Sequence, residues 1–163
     1  SATNSTSPAA KPELAANSGM RQAIAEAARA GMPVLGECGG LMYLAEGITD
    51  FDGRRHSMVG AVPGTCVMER RRVGLGYLTV QALQDTPLLA KGERVRAHEF
   101  HWSRLEGSLP PERVAFHVEE HPGRREGFAE GNLLASYAHI HFGARSGLAP
   151  RFVSACEGWA GAR

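Results

Sequence analysis

The chain has 163 residues, with 18 basic and 17 acidic side chains and a formal net charge of +1. This length fits one domain with a sizeable core, and the balanced charge gives no sign of a nucleic-acid or membrane-surface partner. No apolar run approaches the roughly 20 residues that a membrane-spanning helix needs, and no secretory signal is visible. Three cysteines do not make a disulfide framework, so we expect a cytoplasmic protein.

The first residues differ in composition from the rest of the chain. Residues 1–11 are small and polar without periodicity, which predicts a flexible leader or linker. The remaining residues, 12–163, are expected to form a single domain.

The periodicity of apolar residues predicts strands flanked by helices. In the first half of the chain, the predicted elements are a helix from Met20 to Gly31, a strand over 33–35, a helix over 41–45 and hairpins or an ordered loop over 49–72. Strands over 76–83 and 95–105 follow, and a strand over 114–118 is expected to pair with one starting near Phe128. The last predicted elements are a strand over 132–139 and a helix over 150–157 with Pro150 in its first turn. Helices at the ends with strands between them predict an α/β sandwich, a class that places chemistry beyond the carboxyl ends of strands.

Cys38 lies in the most informative segment of the chain. A short apolar strand leads into Gly36-Glu37-Cys38-Gly39-Gly40, and an apolar helical stretch follows at once. This is the pattern of a nucleophile elbow, a strained turn that lifts one side chain above a sheet edge and needs small neighbours. At the start of a helix, the dipole and the free N–H groups favour a thiolate. The alternative interpretation is a buried cysteine in a tight turn.

Histidines that could serve as a base for Cys38 occur in two short segments. His98 and His101 lie in one segment, and His139 and His141 lie in another near the end of the chain. A base is needed to form the thiolate, and histidine has a suitable pKa. Strand spacing predicts that His139 and His141 share a face. These four histidines could instead bind a metal or pack against aromatic rings. We expect no metal, because no Cys-x-x-Cys or His-Glu-x-x-His pattern accompanies them.

Three segments resemble the signatures of a known enzyme family. Residues 37–44, 98–103 and 135–142 are similar to motifs in the C-terminal glutamine amidotransferase half of cobyrinic (hydrogenobyrinic) acid a,c-diamide synthases. The resemblance extends from about Pro12 to Phe142. It implies a three-layer αβα sandwich of the class I glutamine amidotransferase type that lacks its first strand.

The resemblance also implies roles for individual residues. Cys38 would attack the side-chain amide of L-glutamine, and His139 would transfer the proton. Gly39 and Gly40 would bind the substrate and the oxyanion. Members of this class often have a glutamate two residues after the histidine, but this chain has His141 there. The side chains that remain as orienting or supporting groups are Glu37, Glu99, His98, His101 and His141.

The family's other parts are not recognisable in these residues. Ala9-Ala10 stands where a glycine pair would supply the second oxyanion donor. The chain has two lysines, Lys11 and Lys91, and neither follows the pattern of a phosphate loop. The resemblance therefore implies that ATP and Mg bind to a separate synthetase domain, which this chain would supply with ammonia.

Within that resemblance, the expected acceptor is a corrinoid, cobyrinic or hydrogenobyrinic acid, whose a and c carboxylates are amidated in cobalamin biosynthesis. The alternatives are a catalytically weak or silent docking domain of the same synthase, and the counterpart that acts on nickel-sirohydrochlorin. A cysteine hydrolase or a redox-active thiol protein is the alternative from another functional class.

Overall fold

The computed structural model describes the backbone of residues 10–162 and the side chains of residues 12–162. It contains four α-helices, α1 (Ala10–Ala16), α2 (Ser18–Arg29), α3 (Gly39–Leu44) and α4 (Leu148–Gly161), and ten strands, β1 (Val34–Glu37), β2 (Ala45–Thr49), β3 (Arg55–Ser57), β4 (Val62–Met68), β5 (Gly74–Ala82), β6 (Arg94–His101), β7 (Ser103–Glu106), β8 (Val114–Val118), β9 (Arg125–Glu130) and β10 (Leu133–Ser136). Short 3-10 turns lie at Pro111–Arg113 and Phe142–Ala144.

The strands form two sheets. The larger sheet has six strands in the order β1-β10-β9-β8-β5-β6, and the smaller has four in the order β3-β2-β4-β7. In the larger sheet β1 and β10 are parallel and the other pairs are antiparallel. Glu37 lies opposite Ser136 at the carboxyl ends of the parallel pair. The residues that follow β1 and β10 therefore meet at one edge of the sheet.

Both faces of the six-stranded sheet are packed. On β10, Leu133 and Leu134 point to opposite faces, as successive strand residues must. One face packs against α4 through a cluster that includes Leu78, Val80, Phe116, Val118, Leu134, Leu148 and Phe152. The other packs against α2, α3 and the smaller sheet through a cluster that includes Ile24, Ala28, Leu41, Ile48, Val62, Cys66, Phe128 and Leu133. The predicted three-layer arrangement is confirmed, and the smaller sheet adds to one outer layer.

Several predicted elements are confirmed with small shifts in their bounds. Helix α2 and strand β5 lie where periodicity predicts them. Val114 of β8 pairs with Phe128 of β9, as expected. Pro150 lies in the first turn of α4, which starts at Leu148 and continues beyond the predicted end. The first strand of the described residues is β1, and no helix among them is long and apolar enough to cross a membrane.

The predicted bounds of the helix over 41–45 were wrong at both ends. Helix α3 begins at Gly39 and ends at Leu44, and Ala45 already starts β2. The carbonyls of Leu44 and Ala45 accept hydrogen bonds from the N–H groups of Ala61 and Gly60. These bonds from a neighbouring segment replace the helical partners and stop the helix after six residues.

Two predicted strands were too long. The segment 95–105 is divided at Trp102, because β6 joins the larger sheet and β7 joins the smaller one. The segment 132–139 leaves the ladder after Ser136, and His139 forms an isolated antiparallel bridge with His98. The uncertain region over 49–72 contains β3 and β4, and β4 pairs in parallel with β2.

Most of the predicted leader lies outside the described residues, which start at residue 10. The helix α1 begins at Ala10. The boundary at residue 11 stays a prediction, as does the domain extent over residues 12–163.

Candidate active site around Cys38

Cys38 connects β1 to α3 in a strained backbone conformation. Its φ is +50° and its ψ is −103°, and it is the only non-glycine residue with positive φ in the described part of the chain. Its N–H donates to the Ser136 carbonyl at 2.8 Å, and its carbonyl accepts from the N–H of Met42 at 3.1 Å. The strand ladder and the helix thus both hold the strained residue, and the predicted elbow is confirmed.

The elbow needs a glycine two residues before the cysteine. A Cβ added at Gly36 would lie 2.4 Å from Leu44 Cδ1 and 3.0 Å from the Gly40 carbonyl carbon. Helix α3 therefore crosses β1 at a distance that leaves no space for a side chain at position 36. This close crossing fixes where the start of the helix, and with it Cys38, lies relative to the sheet.

Cys38 and His139 line the same pocket, of about 570 Å³. The other lining residues are Leu14, Glu37, Gly39, Gly40, Met42, Tyr43, Met68, Phe100, His101, Trp102 and Ser103. The pocket brings together residues that follow β1 with residues that follow β10, as the parallel pairing of these strands predicts. Sequence analysis missed Phe100 and Trp102 as wall residues, because their strand spacing gives no sign of which pocket they face.

His139 is oriented by a main-chain group. Its Nδ1–H donates to the carbonyl of His98 at 3.0 Å, and the two residues also exchange main-chain hydrogen bonds of 2.7 and 3.0 Å. Because a carbonyl oxygen can only accept, the proton of the neutral ring lies on Nδ1. The free lone pair is then on Nε2, so that atom is the one able to act as a base. A main-chain acceptor has no side-chain signature, so the sequence could not reveal it.

The surroundings of Cys38 oppose the formation of a thiolate. Its Sγ donates to the Phe100 carbonyl, 3.7 Å away. Burial raises the pKa of the Cys38 thiol, the Gly39 N–H opposes this increase, and the negative charge of Glu37 adds to it. The expectation of a favoured thiolate was therefore wrong, because desolvation outweighs the N–H groups of a six-residue helix. A base is needed to make this sulfur nucleophilic.

Glu37 links the two halves of the site. Its Oε1 accepts a hydrogen bond of 2.8 Å from the N–H of Ile140, the residue after His139. Burial raises the pKa of the Glu37 carboxyl, whereas the Ile140 N–H and the nearby His139 lower it. The carboxylate thus lies close enough to affect the electrostatics of both Cys38 and His139.

A second carboxylate holds the turn between β10 and His139. Glu126 is buried, and its two oxygens accept from Ser136 Oγ at 2.6 Å and from the Tyr137 N–H at 2.7 Å. Burial raises the pKa of Glu126, and these hydrogen bonds oppose that increase. Glu126 was absent from the sequence-based site, since nothing in its local pattern distinguishes it from an outward strand residue.

The buried Glu99 and His101 lie beside the half-buried Arg124. The two terminal nitrogens of the Arg124 guanidinium donate to the Glu99 carboxylate, at 2.9 and 2.5 Å. His101 Nε2 lies 3.6 Å from that carboxylate, while its Nδ1–H donates to the Ser103 carbonyl and its ring stacks on Tyr137. Burial raises the pKa of Glu99, but His101 and Arg124 together lower it to about 2.

His141 lies away from this constellation. It is exposed, and its Nδ1 accepts from the N–H of Gly143 at 3.0 Å in a 3-10 turn. The prediction that His139 and His141 share a strand face was wrong, because the strand ends at Ser136. Among the described residues, no three histidine, cysteine or acidic side chains come together as a metal site would require.

The chain is similar in sequence to known proteins. Residues 5–147 match the sequence family described as the CobB/CobQ-like glutamine amidotransferase domain. The chain is 42% identical over 151 residues to the cobyrinate a,c-diamide synthase of Dehalococcoides mccartyi strain 195, covering 90% of this chain and 33% of that protein. It is 40% identical over 148 residues to the hydrogenobyrinate a,c-diamide synthase of Streptomyces coelicolor, covering 89% and 28%.

The chain thus spans about a third of the length of the curated relatives it matches. Among solved structures, that of PurLQS from Thermotoga maritima contains a similar chain, with a TM-score of 0.62 and 16% identity. The similarity covers 92% of this chain and 72% of that one, and it shows a shared fold.

Proposed function

Because the chain belongs to the CobB/CobQ-like glutamine amidotransferase family, we propose that it is the glutamine-hydrolysing part of a cobyrinate or hydrogenobyrinate a,c-diamide synthase. The observation that carries this proposal is the strained elbow at Cys38, which lines one pocket together with an oriented His139. The names of its relatives support the acceptor. This domain would itself act on glutamine alone.

The first half of the proposed reaction releases ammonia. His139 Nε2 takes the proton of the Cys38 thiol, and the sulfur attacks the carboxamide carbon of glutamine. The tetrahedral intermediate then collapses with cleavage of the C–N bond. The imidazolium of His139 returns its proton to the leaving nitrogen, which departs as ammonia and leaves a glutamyl thioester on Cys38.

The second half regenerates the thiol. His139 takes a proton from water, the resulting oxygen nucleophile attacks the thioester carbon, and the C–S bond breaks. Glutamate leaves, and the thiolate of Cys38 recovers the proton from His139. The same imidazole thus acts twice, and the His98 carbonyl keeps Nε2 available in both steps.

Negative charge on the glutamine carbonyl oxygen needs hydrogen-bond donors in the tetrahedral intermediates. The N–H groups of Gly39 and Gly40 lie at the start of α3, where helical N–H groups have no partner within the helix. We assign Gly39, supported by Gly40, as an oxyanion donor. The second donor, expected near Ala9-Ala10, involves a position outside the described residues.

The remaining steps belong to the longer synthase. ATP and Mg would activate the a and c carboxylates of the corrinoid in a synthetase domain, and ammonia from this chain would attack the activated carboxylates. The part of the relatives beyond this match, about two thirds of their length, is long enough for such a domain.

A weak or silent docking domain is the second candidate function. It is favoured by the raised pKa of the Cys38 thiol and by the bond from Sγ to the Phe100 carbonyl, since both oppose thiolate formation. In that case the isolated chain releases little ammonia from glutamine. Joining it to the synthetase domain would raise the rate only if docking alters the site.

Trapping with an electrophilic glutamine analogue tests the proposed nucleophile. Mass spectrometry should locate the adduct on Cys38, and Cys38→Ser should abolish both trapping and glutamine-dependent ammonia release. Cys156→Ser is the matched control, since Cys156 is a half-buried cysteine on α4, away from the pocket. An adduct on another residue, or unchanged ammonia release by Cys38→Ser, would refute the assignment.

A further inference from the structure

An apolar surface is exposed on the outer strands of the larger sheet. The β5–β6 face, defined here as Leu75, Tyr77 and Phe100, has side chains 58%, 72% and 37% exposed, respectively. Leu75 lies directly opposite Phe100 in the strand register, and Tyr77 lies opposite His98. These residues therefore form one continuous surface and not a scatter of single exposed side chains.

The opposite side of these two strands is packed. Residues between the exposed ones, such as Leu78 and Ala97, point to that side and are buried there. Helix α3 and the smaller sheet pack over β9 and β10 through Phe128 and Leu133. Among the described residues, Leu75 and Tyr77 have no such cover and stay exposed.

The β5–β6 face borders the catalytic pocket. Phe100 lines the pocket, and its carbonyl accepts the hydrogen bond from Cys38 Sγ. Two residues earlier on β6, the His98 carbonyl orients His139. A body that covers Tyr77 and Phe100 would therefore contact the strand whose main chain holds both catalytic groups.

Arg72 adds a positive charge to this apolar surface, whereas the charge of its neighbour Arg96 is paired with Glu120 at 3.7 Å. The Arg72 guanidinium lies 5.7 Å from the ring centroid of Phe100 and 5.5 Å from that of Trp102. Arg96 lies 5.8 Å from the ring centroid of Tyr77. Exposed aromatic residues combined with arginine are the composition of a protein interface, and they fit a partner that presents apolar and acidic side chains.

We propose that the β5–β6 face docks the rest of the synthase polypeptide, and that the docked part completes the wall of the catalytic pocket. This inference rests on the proposed function. The relatives have about two thirds of their length outside the match, so in those proteins a large body is joined to the matching domain. The β5–β6 face combines exposed apolar area, a complementary charge and direct contact with the pocket.

Hydroxyl-radical footprinting tests the contact without depending on activity. The full-length synthase and the 163-residue chain are compared by mass spectrometry, and oxidation of Tyr77 should fall about fivefold or more in the full-length protein, because contact removes an interfacial ring from solvent. Phe142, an exposed aromatic residue beyond the pocket, is the control and should be oxidised equally in both. Equal oxidation of Tyr77 in the two proteins would overturn the proposal.

A charge substitution tests the functional coupling. In the full-length synthase, Leu75→Glu should lower glutamine-dependent amidation about tenfold or more, while amidation from added ammonium salt stays unchanged. Val153→Glu is the matched control, because Val153 is similarly exposed on α4. Unchanged glutamine-dependent amidation by Leu75→Glu, or an equal loss of that activity in Val153→Glu, would contradict the proposal.

Two outcomes separate this inference from its alternatives. If the 163-residue chain forms a dimer in sedimentation that Leu75→Glu dissociates, a second copy occupies the face and the proposal is wrong. If the full-length protein amidates no corrinoid from either nitrogen source, the proposed function fails, and the footprint of Tyr77 still decides whether the face is covered.

Discussion

His139 Nδ1 lies 3.0 Å from the main-chain carbonyl of His98, and the two residues also form a two-way main-chain bridge. A backbone oxygen thus fills the position that an orienting carboxylate occupies in a catalytic triad. This acceptor fixes the tautomer of His139 without placing a full negative charge at Nδ1. The Glu37 carboxylate interacts with His139 through space and can stabilise an imidazolium.

The two C-terminal histidines should differ strongly in their contribution. His139→Ala should lower the rate of ammonia release from glutamine by about 100-fold to 10,000-fold, the usual cost of losing a general base. His141→Ala should have little effect, since that side chain is exposed and bonds to Gly143. Steady-state glutaminase assays of both variants decide the matter. A larger loss in His141→Ala would mean that the base has been assigned to the wrong residue.

Removing the charge of Glu37 should make Cys38 more reactive toward alkylation. The negative charge of Glu37 raises the pKa of the thiol, so Glu37→Gln should lower that pKa and increase the thiolate fraction at neutral pH. The alkylation rate should rise about threefold or more, while the amide oxygen can still accept from Ile140.

The test is the pH dependence of Cys38 alkylation, followed by mass spectrometry. The profile of Glu37→Gln should shift to lower pH, and that of Glu46→Gln, an exposed residue on β2, should not move. Superimposable profiles for wild type and Glu37→Gln would show that the charge of Glu37 does not reach the sulfur.

Glu99 should contribute to stability above acidic pH. Its pKa is about 2 in the folded protein against an ordinary 4.5, so its stabilising effect is complete above about pH 4.5 and is lost as the pH falls toward about 2. Glu99→Gln should lower the free energy of unfolding at neutral pH by about 3 kcal/mol, because it leaves Arg124 without its carboxylate.

Urea unfolding over a pH series measures this effect. The difference in the free energy of unfolding between wild type and Glu99→Gln should become smaller below pH 4.5. Glu119→Gln, which removes an ion pair with the exposed Arg94, should cost about 0–1 kcal/mol. If this difference in the free energy of unfolding stays constant down to pH 2, Glu99 stabilises the protein through packing and not through its charge.

Substitution of Gly36 should disturb the elbow. Gly36→Ala introduces a methyl group 2.4 Å from Leu44 Cδ1 and 3.0 Å from the Gly40 carbonyl carbon, so the Leu44 side chain and the start of α3 must shift, at a cost of about 1–3 kcal/mol in the free energy of unfolding. Glutaminase activity should fall as well, because the same shift moves Cys38. Gly19→Ala in α2 meets no atom within 4 Å and should instead stabilise the protein by about 0.5–1 kcal/mol. Thermal unfolding and activity of the two variants provide the comparison.

Local features of the sequence were sufficient to predict the elbow. A strand, a cysteine between small residues and a helix define the turn around Cys38 without any long-range information. The apolar pattern also predicted β5, and a strand over 114–118 was correctly expected to pair with one near Phe128. Motif resemblance, and not periodicity, selected His139 from seven histidines.

Features that depend on three-dimensional surroundings could not be predicted. The alternation of Phe100 and Trp102 suggests a single strand, although the strands before and after Trp102 belong to different sheets. The pKa of Cys38 rises because distant segments bury the thiol. Glu126 became part of the site only through its bonds to Ser136 and Tyr137.

The hydrogen bond between Glu37 and Ile140 joins residues 103 positions apart. During translation, at about 5–20 residues per second, Cys38 leaves the peptidyl-transferase centre about 5–20 s before His139 is added. Neither this hydrogen bond nor that from the Cys38 N–H to the Ser136 carbonyl can form during that interval. The geometry around Cys38 would therefore be complete only once β10 has paired with β1.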